Sequence, residues 1–574
     1  MIPLSKDEKS LLSECNQLIE QCRVSQMTRA AYYRTLNVLS ETGRFDGTKS
    51  KINMLYNHLF RTATHLFSPV ELKFSMDFDN IYPAEQIKRG NVFATHVTRH
   101  WERSSLDNTF QRGGFESLKY GSAILKQWPT MEGKDQNIPK YHHKLVMPWN
   151  FGVYREDENN IEDQEVVCET ITMTLPEVWQ RIYRFPNAKR LYQEISAHAK
   201  SGEAMGEPNS FFHQVLSTSQ LNTGVQGMTR PIPGGIVQLN NDPNFSIMGP
   251  MIGAPIVKMH ELWVKGEEDY QTVQIIEPDI LITRFKISNL FIADSQMQPY
   301  TLIQPNEVTN WFWGRSELID MIEPQALLSQ LVEDMARLIG VQVDKILFFV
   351  GDTGIQDEQY GQMRMAGYGN LPQGADVKDM TPKFPAELQQ VIKFLIETIN
   401  MLGGFPDIMQ GKGESGVRAG THANTLLKTA SPTLRDRALL MERQCAIAAD
   451  KTASLMEAKE TRKFWTKADT LQDAEQTTFI LGDLPDDWRI TVDSHSSSPI
   501  FSDENQQLIF ALRKTNDVDG EYAIKNLPLP NKEEALASLR ERKKSQQEQQ
   551  EKILKQFPEA GEKIAVKQLT GSRR

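Results

Sequence analysis

The stretch Trp311-Phe312-Trp313-Gly314-Arg315-Ser316-Glu317-Leu318-Ile319-Asp320 opens the part of the chain that decides the fold, which runs from Trp311 to Lys459. Ser316 suits the N-cap of a helix because its hydroxyl can bond a free backbone N–H of the first turn. Glu317 and Asp320 follow at once, and carboxylates stabilise the positive end of a helix. The stretch therefore predicts a helix that begins at Ser316.

Apolar residues then recur at helical spacing, which predicts that this helix continues to Ile339. Pro324 permits the continuation only with a kink or a restart, and we expect Gly340 to end the helix. The apolar stripe consists of Leu327, Leu328, Leu331, Val332, Met335, Leu338 and Ile339, while Gln330, Glu333, Asp334 and Arg337 lie on other faces.

A second amphipathic helix follows a compact insertion that contains one strong strand, Ile346–Val350. It starts at Pro385, which is favourable in a first turn, and Gly403-Gly404-Phe405-Pro406 stops it. Its stripe consists of Leu388, Val391, Ile392, Leu395, Ile399 and Leu402. This block is therefore expected to fold as helix, insertion and returning helix.

The segment after the second helix is polar and rich in glycine. Its Gly411-Lys412-Gly413 lacks the spacing of a phosphate-binding loop, and Ser415 lacks the spacing of a nucleophile elbow. A long helix is predicted from about Thr421 to Ala458, with a kink at Ser431-Pro432. The run Asp487–Asp493 then predicts a strand.

Upstream, the first ~125 residues favour helices, with Glu8–Cys22, Lys51–Leu66 and Asn91–Trp101 as the clearest stretches. Further predictions are a strand at Val166–Ile171, a helix from Pro176 to Lys200, a Gly/Pro-rich insertion at 201–256, and a hairpin of Val257–Val264 with Tyr270–Ile276. Together the patterns predict an α+β fold that is predominantly helical.

Composition excludes several classes of protein. The 574 residues carry a net charge of -10, with 39% hydrophobic and 24% charged residues, as in ordinary folded proteins. No apolar run reaches the ~18 residues of a membrane helix. The first residues lack the layout of a signal peptide, and the four cysteines form no CxxC pair, so we expect a reducing compartment.

No group of residues has the spacing of a catalytic or metal site. His96 and His100 are four apart on a predicted helix, but without an HExxH motif or a nearby cysteine we expect a surface or packed pair. The same holds for His142-His143. For His260-Glu261 a cross-strand contact explains the pair better than catalysis. We expect no enzyme activity, no metal and no cofactor.

The order of elements from Val257 to Val492 resembles the portal, or head-to-tail connector, proteins of tailed bacteriophages. In that family the helix pair is the stem, the insertion is the clip, and the Gly-rich segment is the tunnel loop. The resemblance implies a ring-forming chain with a wing at 1–314, stem helices at 315–339 and 385–402, a clip at 340–384, a tunnel loop at 403–420, a kinked wing helix and strand at 421–501, and a helical crown at 502–574.

The resemblance also implies a function and partners. A ring of twelve copies would sit at one vertex of the virion capsid, after assembly in the cytoplasm of the bacterial host. Double-stranded DNA would pass through it, without sequence-specific contacts, during packaging and ejection. The other implied partners are the terminase large subunit, the major capsid protein, the scaffold and the tail adaptor proteins, with no membrane partner.

The resemblance assigns site residues to three of these parts. The tunnel loop contributes Gly411, Lys412, Gly413, Ser415 and Arg418; the channel-lining stem contributes Glu317, Asp320, Gln330, Glu333, Asp334 and Arg337; and the clip contributes Asp352, Gln356, Tyr360 and Arg364 as contacts for terminase or adaptor.

The charges of the first stem helix suit a channel. Five carboxylates against Arg337 predict a wall that repels phosphates weakly through screened solvent. Twelve helices, each ~10 Å wide, leave an opening of ~28 Å, which admits a duplex roughly 20 Å wide. Two other hypotheses stay open: another virion component, such as a helical head–tail adaptor or internal scaffold protein, and an enzyme acting on nucleic acid, which would need clustered carboxylates.

Replacing Lys412 and Arg418 with alanine should reduce the retention of packaged DNA and leave ring formation intact, because mobile cations would contact only the phosphate backbone. Retained genome and ring yield can be measured on the same preparations. Mutant subunits that fail to assemble would contradict this assignment.

Overall fold

The computed structural model describes most of the chain. The described residues are 7–42, 52–69, 72–132, 138–199, 255–266, 270–286, 298–343, 347–350, 376–379, 385, 387–403, 432–460, 463–465, 478–485, 487–492, 508–515 and a few isolated positions between 520 and 545. They form an α+β fold in which helix predominates, as the sequence predicts.

Nine long or medium helices are present in these residues. They are α1 Glu8–Thr42, α2 Met54–Leu66, α3 Ala84–Ser104, α4 Leu106–Tyr120, α5 Leu175–Ile182, α6 Ala188–His198, α7 Ile322–Val343, α8 Glu387–Leu402 and α9 Pro432–Lys459. The strands are β1 Phe74–Phe78, β2 Ala123–Glu132, β3 Ile138–Val146, β4 Phe151–Val153, β5 Val166–Thr174, β6 Ile256–Lys265, β7 Tyr270–Ile276, β8 Ile280–Lys286, β9 Tyr300–Ile303, β10 Leu347–Val350, β11 Asp376–Asp379, β12 Phe464–Trp465, β13 Thr478–Phe479 and β14 Trp488–Val492.

The strands form antiparallel sheets that join distant parts of the chain. Five strands pair in the order β4-β5-β6-β7-β8, and three in the order β3-β2-β9. The predicted hairpin is confirmed, since β6 and β7 pair from Met259 opposite Ile276 to Lys265 opposite Tyr270. The predicted strand near residue 490 is also confirmed, and β14 pairs with β1 near the start of the chain.

Helix α9 lies at the centre of the main core. It packs against α2, α3, β2, β9 and β14. Small side chains such as Ala438, Cys445 and Ala449 on this helix are fully buried, so neighbouring elements approach it closely. At Gly114 of α4, a Cβ atom would come within 2.9 Å of the Met441 side chain. The core therefore depends on small residues along α9.

Three helix boundaries differ from the prediction. Helix α7 begins at Ile322 rather than Ser316, because the Ser316 hydroxyl donates to the Lys119 carbonyl at 2.7 Å and the chain then makes a 3-10 turn at Ile319–Met321 before the α-helix. It also continues past Gly340 to Val343, since a glycine inside an exposed helix costs only about 1 kcal/mol. The single helix predicted from Pro176 to Lys200 is two helices, α5 and α6, separated at Pro186.

Other predicted features lie outside the described residues. They are the insertion at 201–256 apart from Pro255 and Ile256, the part of the last long helix before Pro432 with its predicted kink, and most of 502–574, of which residues 508–515 are helical.

A buried ionic cluster connects the two larger sheets. The Lys126 ammonium on β2 lies 2.7 Å from a Glu169 carboxylate oxygen on β5 and 2.5 Å from one of Glu261 on β6. The Tyr300 hydroxyl donates to both carboxylates, at 2.9 and 3.2 Å. Burial alone would raise the pKa of Glu261, but the adjacent Lys126 charge outweighs it and lowers the pKa to about 2. Lys126 is therefore the buried cation between the two acids, while the less buried Lys144 and Arg181 approach Glu169 at 2.5 Å and Glu261 at 3.9 Å.

Replacing Lys126 with methionine should destabilise the fold by on the order of 3–5 kcal/mol, because two buried carboxylates lose their one fully buried cation and keep only the partly exposed Lys144 and Arg181. Urea unfolding measures the loss. The control is Arg489→Gln, which breaks an exposed pair with Asp79 and should cost no more than about 1 kcal/mol. Equal costs for the two variants would contradict the role given to the cluster.

Candidate functional site: an exposed helix arm and its buried base

Helices α7 and α8, with the antiparallel strand pair β10–β11 between them in the chain, form a unit that we call the helix arm. The two helices pack against each other, and β10 pairs with β11 from Leu347 opposite Asp379 to Val350 opposite Asp376. The end of α8 returns to the start of α7, because a Cβ on Gly403 would collide with the ring of His58, which itself contacts Glu317 just before α7. The arm is therefore a helical hairpin.

The arm exposes a second apolar face in the single chain. On α8, Leu395 and Ile399 are buried at 6% and 1% exposure. Other large apolar side chains on the arm face solvent: Val391 at 42% exposure, Phe394 at 64%, Met401 at 73% and Leu402 at 46% on α8, with Leu327 and Ile339 at 47% each on α7. An exposed apolar face of this kind marks an interaction surface.

The base of the arm is fixed by a buried carboxylate. One Glu317 oxygen lies 3.2 Å from Nε2 of His58 on α2 and 2.8 Å from Nη1 of Arg437 on α9. The other oxygen accepts a hydrogen bond from the Asn306 side chain at 2.9 Å. Burial would raise the pKa of Glu317, but the His58 hydrogen bond and the Arg437 charge outweigh it and lower the pKa to about 2. The Glu317 side chain is only 5% exposed, so this ion pair is shielded from solvent.

The aromatic segment before Glu317 is anchored in the body of the protein. Trp313 is buried and its indole N–H donates to Glu156 at 2.6 Å. Gly314 has φ +64° and Gly121 has φ +98°, and a Cβ on either would clash with the backbone of the other segment. The Arg29 guanidinium lies 4.9 Å from the centroid of the Trp313 ring. These contacts position the residues from which the arm starts.

One residue predicted to line a channel does not do so. Glu317 lies before the helix, not on it, and its carboxylate is buried against His58 and Arg437. The prediction is wrong because these two partners are far away in sequence and close in the fold.

The other predicted stem residues are solvent-accessible to different degrees. Asp320 pairs with Arg315 at 2.5 Å, and both side chains are more than half exposed. Arg337 pairs with Glu333 at 2.8 Å and approaches Asp334 at 3.9 Å. Gln330 is exposed on α7. The structure therefore brings Glu333, Asp334 and Arg337 together, while Gln330 is not part of their cluster.

These pairs make the arm less repulsive than the sequence predicts. Of the five carboxylates expected on the first stem helix, Glu317 is buried, and Asp320, Glu333 and Asp334 have arginine partners. Over the two helices, the charged residues are Glu323, Glu333, Asp334, Glu387 and Glu397 against Arg337 and Lys393. The arm keeps a small excess of negative charge.

The tunnel-loop residues Gly411, Lys412, Gly413, Ser415 and Arg418 lie outside the described residues, as do the clip residues Asp352, Gln356, Tyr360 and Arg364. Their assignments stay predictions.

The predicted histidine pairs lie in packed surroundings. His260 is confirmed in a cross-strand contact, since it lies opposite Thr170 with Nδ1 3.1 Å from the Thr170 hydroxyl, and its Nε2 lies 3.0 Å from Glu277. His96 contacts Glu460 at 3.5 Å, and the His142 ring stacks on Trp128. Across the described ranges, no group of three or more His, Cys, Asp or Glu side chains is placed to hold a metal ion.

Sequence reasoning missed the base of the arm and its outer face. His58 and Arg437 lie 259 and 120 positions from Glu317, and no local pattern connects them. Phe394 and Met401 could have been found, because α8 carries more apolar positions than one buried stripe needs.

Replacing Glu317 with glutamine should destabilise the protein at pH 7 by on the order of 3 kcal/mol, because a buried ion pair is broken. The folded pKa of about 2 lies below the ordinary 4.5. The stabilisation is therefore complete above about pH 4.5 and is lost as the pH falls toward 2. Urea midpoints of wild type and variant should converge over that range.

The matched control for this change is Asp320→Asn, which removes an exposed carboxylate three residues away. It should change stability by less than about 1 kcal/mol. A Glu317→Gln penalty that is small, or that does not shrink in acid, would contradict the buried pair.

The fold has a weak likeness to a solved phage-like particle component. A chain from the neck of an empty gene transfer agent particle, computed with C6 symmetry, is similar at 12% sequence identity and a TM-score of 0.38, over 86% of this chain and 94% of that chain. No protein-family model and no curated protein sequence matches. Within the described part of the chain, no helix is long and apolar enough to cross a membrane.

Proposed function

We propose that this chain is the subunit of a portal ring, a conduit for double-stranded DNA at one vertex of a virion capsid. The observation that carries the proposal is the helix arm, whose returning helix α8 has one apolar face buried and another exposed. The stem resemblance of the sequence supports the same function.

The exposed face of α8 favours a head-to-tail contact between copies. Phe394 and Met401 are seven residues apart, and Val391 lies three residues before Phe394, so these side chains share one side of the helix. Burying a large apolar side chain stabilises an interface by about 1.5–3 kcal/mol. Because α7 also exposes apolar residues, the arm of one copy can cover that of the next. Such a head-to-tail interface forms a closed ring when the rotations between successive copies add up to a full turn.

The charges of the arm suit passage of DNA rather than tight binding. A wall rich in unpaired lysine and arginine would release counterions and hold the duplex. On the arm, Arg337 is engaged by Glu333 and Asp334, and Lys393 lies 3.9 Å from Glu397. A phosphate backbone that moves along the described residues of α7 and α8 meets no row of unpaired cations, so the duplex can slide.

The remaining parts of the proposal follow the resemblance. The ring has twelve subunits and no enzymatic activity, and a separate terminase supplies the force for packaging. The region between α7 and α8 contacts the terminase large subunit and later the tail adaptor proteins, and the body contacts the major capsid protein and the scaffold.

Replacing both Phe394 and Met401 with glutamate should prevent ring formation and leave folded single subunits, because charges cannot be buried in the apolar contact without partners. Negative-stain images and the mass in solution measure the result. Wild type should give annular particles with a central hole that admits a duplex.

The matched control is Gln389→Glu, an exposed change on the polar side of the same helix, which should leave the rings intact. The proposal would be refuted by wild-type protein that gives only 65.5 kDa single subunits. Rings that persist in the Phe394→Glu, Met401→Glu variant would refute the role of the exposed face.

A further inference from the structure

A cavity of about 410 Å³ lies beside the outward side of α3, away from the helix arm. It is lined by His96, Arg99, His100, Arg103 and Ser104 of α3, Pro139, Lys140 and Tyr141 of β3, and Met456 of α9. This volume is within the range of small-ligand sites, roughly 300–1,000 Å³.

The sequence places the basic residues of this cavity on one side of α3. His96, Arg99, His100 and Arg103 are spaced i, i+3, i+4 and i+7, so their side chains share a face. The opposite face of the helix is committed to the core, where Val97 is fully buried. The burial of that apolar face therefore turns the basic face toward β3.

The charge of the cavity is one-sided. Arg99 and Arg103 are exposed cations, and none of the nine lining residues is acidic, although the whole chain has a net charge of -10. Within the parts of the chain that the structure describes, no carboxylate lies in ion-pair range of Arg99 or Arg103. By contrast, Arg89 on the same helix pairs with Glu85 at 2.8 Å. The cavity thus holds a local excess of positive charge.

The histidines add hydrogen-bonding capacity without much added charge. His96 lies 3.5 Å from the buried Glu460 carboxylate, which offsets any charge it gains. Burial, together with His96 and His143, lowers the pKa of His100 to about 4, so its ring is neutral at pH 7. The His100 ring meets the Tyr141 ring edge-on, with centroids 5.4 Å apart.

We propose that this cavity binds a phosphate group, with the guanidinium groups of Arg99 and Arg103 as its ligands. Arginine offers a planar pair of donors that matches phosphate oxygens. Tyr141 and Met456 supply an apolar wall beside the cations, which suits a phosphate carried by a nucleoside. The site does not depend on the ring proposal, because it lies within one chain.

The phosphate can come from a free nucleotide or from the backbone of a nucleic acid, and titration calorimetry on the full chain distinguishes them. The probes are inorganic phosphate, dAMP and a single-stranded oligonucleotide of eight thymidines, each at low salt. Saturable binding of at least one probe, at one site per chain, is the expected result. Binding of dAMP as tight as that of the oligonucleotide assigns a nucleotide, and tighter oligonucleotide binding assigns a backbone.

The Arg99→Gln, Arg103→Gln variant should weaken binding by about tenfold or more, since two charge-assisted hydrogen bonds are lost. The exposed Lys88→Gln on the same helix removes one charge elsewhere and should leave the affinity within about twofold. The single variants Arg99→Gln and Arg103→Gln repeat the test if the double variant unfolds. Absence of saturable binding for all probes, or equal weakening by Lys88→Gln, would overturn the site.

Discussion

The ion pair at Glu317 is the constraint on which the rest of the structure depends. Its carboxylate joins His58 of α2, Arg437 of α9 and Asn306 after β9, immediately before the chain enters α7. Gly403, at the end of α8, packs on the same His58 ring. Both ends of the helix arm therefore meet the body of the protein at one buried charge, and a buried charge is stable only while all of its partners stay in place.

Because the base of the arm is fixed, the exposed apolar face of the arm keeps one orientation relative to the body of the protein. If the arm moved freely against the body, Phe394 and Met401 could fold back onto the protein and lose their exposure. Because α8 is anchored at Gly403 and packs on α7, with Leu395 and Ile399 buried, the Phe394 and Met401 side chains stay turned outward. Their exposed area is then available to another copy of the chain in the proposed ring. A closed ring requires the same rigid angle between each pair of neighbouring copies.

Local patterns in the sequence predicted much of this architecture, and contacts between distant residues limited the rest. The pairing of β6 with β7 and the end of α8 at Leu402 follow from turn residues and from Gly403, which act within a few positions. The start of α7 at Ile322 could not be predicted, because the Ser316 hydroxyl donates to the carbonyl of Lys119, 197 positions away, and accepts the Leu318 N–H of a tighter 3-10 turn that precedes the helix. The same reasoning explains Glu317, whose local context is that of a helix N-terminus and whose partners are known only from the fold.

The distribution of arginines separates two surfaces that the net charge of -10 does not distinguish. On the arm, Arg337 pairs with carboxylates of its own helix, one and a half turns or less away, so its charge is neutralised within the chain. On α3, Glu102 stands three residues after Arg99, and Asp107 of α4 stands four residues after Arg103, but in the described structure neither carboxylate lies within ion-pair distance of these arginines, and Asp107 is buried. The side-chain positions, rather than the spacing along the helices, thus leave one surface nearly neutral and the other open to an anion, which a count of charges along the chain would not reveal.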